Sequence, residues 1–559
     1  LIGGLAGTAI TTGDDNVAIG YQAGDALTTG GGNVVIGHGA FSAEDTGSNH
    51  VAIGKSALAV LNIGGNSNVA IGLNSLAANV SGGNNTAIGT NTLAAQNTSG
   101  TAADTHNTAV GNSAGASVTS GISNTLIGSI SGDAITTGTN NVAMGVSSLS
   151  TDTAGQFSVA IGANALATQN FSTSTDVFNT AVGLSAGRLV TTGVNNTLLG
   201  GLSGDALTDA DANTAIGAYS LSADTLGSQS VAVGHGTLTH QNFTTATNSL
   251  NTAVGYVAGN GITTGILNTF IGAQAGDAMT DADGNTAVGG QALTTDTLGL
   301  NSTAVGVTAL FTQNFTTATQ ASNTAVGAAA GYSITTGTKN VLMGHLTGDN
   351  MTTGSQSTFI GYEAGGAVTT GQQNDLFGAL AGDALTDADY NVALGYATLS
   401  TDTLGSRSTA VGHSALATQN FTTATNSNNT AVGFYAGVSV TTGVSNTLIG
   451  ASAGDAITIG TNNVAMGVGS LSTDTAGQFS VAIGANALAT QNFSTSTDAY
   501  NTAVGLSAGK LVTTGTLNTF IGANAGDANT TASGNTALGY NSLGSNTTGA
   551  NNAAGGGYS

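Results

Sequence analysis

Three stretches of the chain place three aspartates within seven residues: Asp205, Asp209 and Asp211; Asp277, Asp281 and Asp283; Asp383, Asp387 and Asp389. Carboxylate oxygens so spaced are the donors that Ca²⁺ takes, which makes these nine residues the candidate metal ligands. The glycine-rich nonapeptide of Ca²⁺-binding β-rolls is absent, and aspartates that bond their own turn backbone account for the same pattern. No cofactor is expected beyond that Ca²⁺. A second set of candidates follows one tripeptide, Asn-Phe-Ser/Thr, at Asn170-Phe171, Asn242-Phe243, Asn314-Phe315, Asn420-Phe421 and Asn492-Phe493. It matches the acceptor pattern for N-glycosylation. The plainer reading is a phenylalanine that tucks a loop onto the wall or onto a neighbouring subunit. The seven histidines (His38, His50, His106, His235, His240, His345 and His413) recur at no ligand spacing. Phosphate-loop, nucleophile-elbow and zinc-helix motifs are missing, so the expectation is that the chain is not an enzyme.

The element that carries these residues is a repeat. The phrase Asn-Thr/Val-Ala-Ile/Val-Gly appears at Asn16–Gly20, Asn33–Gly37, Asn124–Gly128, Asn251–Gly255 and Asn535–Gly539, and 30 copies can be counted, most of them 17 residues apart. That period is too short for two helices and suits one turn of a β-solenoid. Numbered from the first letter of the phrase, the fifth position is always Gly. The fourth is large and apolar, the third apolar and mostly Ala, and the second Thr or Val except at Asp375. The eighth is Ala, Ser or Thr, as at Ala23, Ser75, Thr92 and Ala258. Thr-Thr-Gly, as at Thr191-Thr192-Gly193, closes many coils in a turn. Positions one to four therefore read as a short strand, the glycine as a bend, and the eighth position as a second inward point. The Asn column reads as an amide ladder running between coils. The fold class is all-β, a parallel β-solenoid (β-roll) of about 30 coils of 17 residues, some of 21. It is expected to be one continuous rod over residues 1–559, roughly 150 Å long at about 4.8 Å per coil. The chain opens in mid-phrase at Leu1-Ile2-Gly3, from which a piece of a longer protein is expected.

Positions three and four point to opposite faces of a strand, and both are apolar. A strand apolar on both faces is buried on both, which predicts a partner on one side. The third position is taken as that subunit interface: Ala215 and Ala287, with the larger Leu126, Leu198, Phe270, Leu342, Leu448 and Phe520 in the same column. Phe359 and Leu376 share it. The expected partner is the chain itself, in a closed trimer.

Composition narrows the function. The 559 residues include 87 Gly, no Pro, no Cys and only five basic side chains, for a net charge of −23. Absent proline suits a chain whose backbone N–H groups are all needed in ladders. So few Lys and Arg exclude nucleic acid and attraction to anionic lipid, and no run is long enough to span a membrane. A four-coil rhythm of 72 residues overlies the repeat. Its 21-residue coil carries the Gln-Asn-Phe insertion, and Thr139–Gly193 recurs nearly unchanged at Thr461–Gly515. The extra four residues are expected to loop outward as contact sites at 169–178, 241–250, 313–322, 419–428 and 491–500.

With its small residue three positions after the Gly, the phrase resembles the head repeats of trimeric autotransporter adhesins of the YadA type. Similar repeats occur in phage and viral fibre proteins. The resemblance covers essentially the whole chain, although the coil is longer than the usual head repeat and residues 1–559 include no heptad stalk, membrane-anchor barrel or chaperone domain. It implies a left-handed trimeric β-roll on an outer surface: an extracellular structural or adhesive fibre of a cell or virion that meets surface glycans or a host receptor. Competing readings are a purely structural filament subunit, a β-helical polysaccharide depolymerase, and an ice-binding protein using Thr-x-Thr pairs such as Thr151/Thr153, Thr295/Thr297 and Thr401/Thr403.

Overall fold

The computed structural model describes residues 1–43, 45–61, 66–98 and 103–559. The chain is an all-β parallel solenoid of about 31 coils, with no helix among the described residues. It divides into two compact units, Leu1–Ala282 and Asp283–Ser559, each built from the same coil. In the first unit, Thr197–Leu199 pairs in parallel with Thr214–Ile216 in the register Thr197↔Thr214, Leu198↔Ala215, Leu199↔Ile216. In the second, Thr324–Val326 pairs with Val341–Met343 in the same register. The strand is three residues long, set between the Asn and the Gly of the phrase.

The Asn is buried and ties the coils together. In the coil that begins at Asn196, its side-chain amide donates to the carbonyl of Ala210 at 2.8 Å, closing its own coil. Its Oδ1 accepts the backbone N–H of Asn213, the same position in the next coil, at 3.0 Å. One amide thus serves both the turn and the stack, which leaves this column no room for a ligand. Direct side-chain bonds, as from Asn124 to Asn107 at 3.2 Å, add to the ladder.

The third position fills the interior of the coil. Ala215, Ala287, Leu126, Leu198, Phe270, Leu342, Leu448 and Phe520 are all buried within a single chain. This corrects the expectation that the third position meets a neighbouring chain. The inner and outer faces are the reverse: the middle residue of each strand points in, and the second and fourth point out. Ile216 is 36% exposed, whereas Leu198 in the paired strand is 0% exposed.

Interior volume is conserved by exchange between two positions. Where the third residue is Ala, the ninth is usually a buried Leu, as in Ala232 with Leu238 or Ala304 with Leu310. Where the third residue is large, the ninth is Gly in that coil and in the one before it. Leu198 lies between Gly187 and Gly204; a Cβ on either would stand 2.6 or 2.8 Å from its methyl groups. Phe359 and Leu376 use Gly365 in the same way, at 2.6 and 3.0 Å. Close-packed interiors leave no slack for both side chains at once.

Candidate contact surface

Because the second and fourth positions face out, each unit presents a column of half-exposed apolar side chains, one per coil. In the first unit it includes Ile216, Val233, Val254 and Ile271, and in the second Val326, Met343, Ile360 and Phe377. The sixth position, two residues on, lies outside as well and is often large: Val146, Leu184 and Tyr256 in the first unit, Tyr362, Phe434 and Leu506 in the second. Where consecutive coils carry rings there, the rings stack, as His345 on Tyr362 with centroids 5.9 Å apart. No charged residue stands at the fourth position, and Asp375 is the one charge at the second. An uncharged apolar stripe of this extent exceeds the scattered exposure normal for a monomer.

The 21-residue coils form a second feature. The register shows where their four additional residues go: Ser172, Thr173 and Ser174 stand exposed ahead of a short strand, and Val177 is buried just after it. Residues Thr175–Asp176 form a short strand that pairs in parallel with Gly155–Gln156 of the preceding coil. Thr247–Asn248, Thr319–Gln320, Thr425–Asn426 and Thr497–Asp498 repeat the arrangement. Each long coil thereby adds a two-stranded ledge to the wall.

A buried polar cluster that the sequence reading missed braces each ledge. Asp224 accepts from Gly227 N–H at 3.0 Å, Phe243 N–H at 3.1 Å and the Gln241 side-chain amide at 2.6 Å. Gln241 donates also to Ser230 at 2.9 Å and accepts from Asn251 at 2.9 Å. Buried polar groups must be paired, and here every named donor finds an acceptor. The same cluster recurs around Asp152, Asp296, Asp402 and Asp474.

These clusters relocate several candidates. Phe171, Phe243, Phe315, Phe421 and Phe493 are tucked inside, between 5 and 8% exposed, and cannot be contact residues. The accompanying Asn170, Asn242, Asn314, Asn420 and Asn492 are on the surface. The Thr-x-Thr hydroxyls are committed to the following coil: Thr151 donates to the Ala167 carbonyl at 2.9 Å and Thr153 to that of Phe171 at 2.7 Å. They do not form the free hydroxyl array that an ice-binding face requires.

The aspartate triplets separate as well. Asp209 accepts from the Thr192 hydroxyl at 2.6 Å and Asp211 from Val194 N–H at 2.8 Å, each holding the preceding coil. Asp281 takes the Thr264 hydroxyl at 2.7 Å, Asp387 that of Thr370, and Asp389 the Gln372 N–H at 2.7 Å. Among the described residues, no group of three or more His, Asp or Glu is placed to hold a metal ion.

Asp205 and Asp383 belong instead to a column at the tenth position with Asp133, Asp349, Asp455 and Asp527. Burial pushes these six carboxyls above the ordinary value of 3.8; the Arg188 guanidinium partly offsets this at Asp205, and the Glu363 carboxylate adds to it at Asp349 and Asp383. In five of them one buried carboxylate oxygen finds no donor among the described residues. A raised folded-state pKa means that ionisation opposes folding: the penalty is full above the raised value and disappears as pH falls toward 3.8. The melting temperature is therefore expected to rise as pH is lowered from neutral toward 4. A variant with all six changed to Asn should melt higher at neutral pH, with a shallower slope. Thermal circular dichroism across that range checks this; an unchanged slope would remove these residues from the account.

No protein-family model matches the chain, and no curated protein matches it.

Proposed function

We infer that the protein is an extracellular structural and adhesive fibre, borne on a cell or virion surface, whose copies associate through the fourth-position column. It acts by contact rather than by catalysis. The observation that carries this reading is the continuous, half-exposed, uncharged apolar column in each unit. Its repeat of about 4.8 Å per coil is complemented along its length only by a surface with the same repeat, which another copy supplies. The acidic side chains that would oppose association stand at other positions, chiefly the tenth and twelfth. A trimer closed about the columns hides this surface on every chain, in keeping with the repeats that the phrase resembles.

The test is the mass in solution. Wild-type protein is expected to sediment at a multiple of the single-chain mass. Ile216→Asp combined with Val254→Asp should yield single chains with an unchanged circular dichroism spectrum, because the fourth position faces out. Ala215→Asp is expected to unfold its coil instead, since it places an unpaired charge in the interior. Wild-type protein at single-chain mass, or a double variant that still associates, would overturn the reading.

A further inference from the structure

Two of the five ledges on the 21-residue coils differ from the other three. In the first unit, Gly155–Gln156 pairs with Thr175–Asp176, which sets Gln156 opposite Asp176. The residues just beyond are Phe157 and Phe178, whose rings stack with centroids 5.3 Å apart and planes 13° from parallel. In the second unit, Gln478 stands opposite Asp498, and Phe479 stacks on Tyr500 at 5.1 Å and 12°. All four rings sit on the surface, the outermost about half exposed: Phe178 at 52% and Tyr500 at 49%. Both acids are exposed too. Gln156 is bonded to Ser174 and Gln478 to Ser496, and the Tyr500 hydroxyl reaches Asp498 at 3.4 Å.

The backbone makes these rings costly. Phe157, Phe178, Phe479 and Tyr500 have φ of 60, 52, 56 and 49°. That left-handed region favours Gly and Asn and disfavours bulky side chains. Three of the four adjacent coils carry Asn140, Asn195 and Asn462 at the same corner, and the fourth carries Leu517. The two copies of the block also differ at this spot, Val177-Phe178 in one and Ala499-Tyr500 in the other, and the change retains a ring. The same corner is left-handed along the whole stack and also holds Leu250, Leu267, Tyr390 and Leu517, so what sets these four rings apart is their stacking in pairs on a ledge beside an exposed acid.

We propose that the Phe157/Phe178 and Phe479/Tyr500 ledges are binding sites for neutral saccharides. The Gln156 carboxamide is already committed to Ser174 and Thr139, so the partner must cover aromatic surface and, two residues away, satisfy an exposed carboxylate. A wholly apolar partner would strip water from Asp176 or Asp498 without replacing its hydrogen bonds. A pyranose ring meets both demands, with a C–H face for the aromatic rings and hydroxyls for the Asp. Anionic saccharides are disfavoured by those acids and by the net charge of −23. The inference rests on the adhesive part of the functional reading and supplies the class of ligand and its place. The remaining ledges serve as internal controls. Their second strands, Thr247–Asn248, Thr319–Gln320 and Thr425–Asn426, carry no acid, and Leu250, Ser322 and Asn428 stand where the second ring would be.

The experiment uses saturation-transfer NMR with cellohexaose and chitohexaose as probes and hexagalacturonic acid as the anionic control. Wild-type protein is expected to transfer saturation to the ring C–H protons of at least one neutral hexasaccharide and to bind the acid less. Changing Phe157, Phe178, Phe479 and Tyr500 to Asn, the residue that three of the four neighbouring coils use, should keep the fold and weaken binding about tenfold or more. Leu250→Ala with Leu267→Ala should leave binding unchanged. No transfer to either neutral probe, or binding undiminished in the four-Asn variant, would overturn the proposal. A four-Asn variant that lost self-association in sedimentation would also overturn it, by showing the rings to be a subunit contact. Loss of mass in the fourth-position variants with saccharide binding intact would separate the assembly reading from this one.

Discussion

Gly200→Ala is expected to melt the coil that contains it, at a cost of about 3 kcal/mol or more. Gly200 closes the strand at φ 138°, a region open essentially to glycine, and its Cα faces the backbone of the next coil. A Cβ there would stand 2.6 Å from both the carbonyl carbon and the oxygen of Gly217. Neither atom belongs to a side chain that can rotate away, and moving Gly217 would disturb its own contact with Gly234. The strain is therefore passed along the stack. Its readout is local, because each coil of a solenoid is stabilised by its neighbours: amide exchange should accelerate around residues 197–217, together with new proteolytic cleavage there. The adjacent residue is the control. A Cβ on Gly201 meets nothing within 4 Å, so Gly201→Ala should change stability by no more than about 0.5 kcal/mol. Equal effects at the two positions would mean that the close approach is not what the fifth-position glycine provides.

Asp224→Ala is expected to be nearly as damaging, at roughly 3 kcal/mol, and to release the long coil rather than the strand. The carboxylate holds three N–H donors, from Gly227, Phe243 and Gln241, and truncation leaves them buried without an acceptor. Gln241 is fully buried and tied onward to Ser230 and Asn251, so it cannot turn to water without breaking those bonds. The amides of Gly227 and Phe243 should lose protection first, and Phe243 should become reactive to surface probes. Exchange at Thr214–Ile216, in the same coil as Asp224 but on its strand side, should change far less. A variant whose Phe243 stays protected would show that the phenylalanine, not the carboxylate, anchors the ledge.

The architecture was readable because its governing signals are local and repeated. An invariant Gly after a short apolar run, mostly every 17 residues, leaves few folds open. The facing of the strand was not readable from apolar character alone, since Ala215 and Ile216 are both apolar. Size decides it. An Ala column alternating with Leu and Phe marks an interior of fixed volume, and Gly187 and Gly204 flanking Leu198 are the visible trace of that constraint. Asp224 and Gln241 were passed over because a single acid in a polar run looks solvated; only the stacking of coils buries it against a residue 17 positions away. The ring pairs were hidden for the same reason: Phe157 and Phe178 become neighbours only once the long coil has closed.

The exchange of volume between the third and ninth positions also acts as a rule of inheritance. When coils are added or exchanged, a junction is viable only if it matches coils of the same packing type. Joining a coil such as Ala232/Leu238 directly to one such as Leu198/Gly204 in the wrong order would set a leucine against a leucine or leave a hole. Growth by the whole four-coil block preserves the order, as the recurrence of residues 139–193 at 461–515 illustrates. So does inserting further coils inside a run of one type, and the second unit contains such a run: Leu342, Phe359 and Leu376 follow one another, each with its glycine at 348, 365 and 382. The length of the molecule is thus free to drift, but only in steps that the interior recognises.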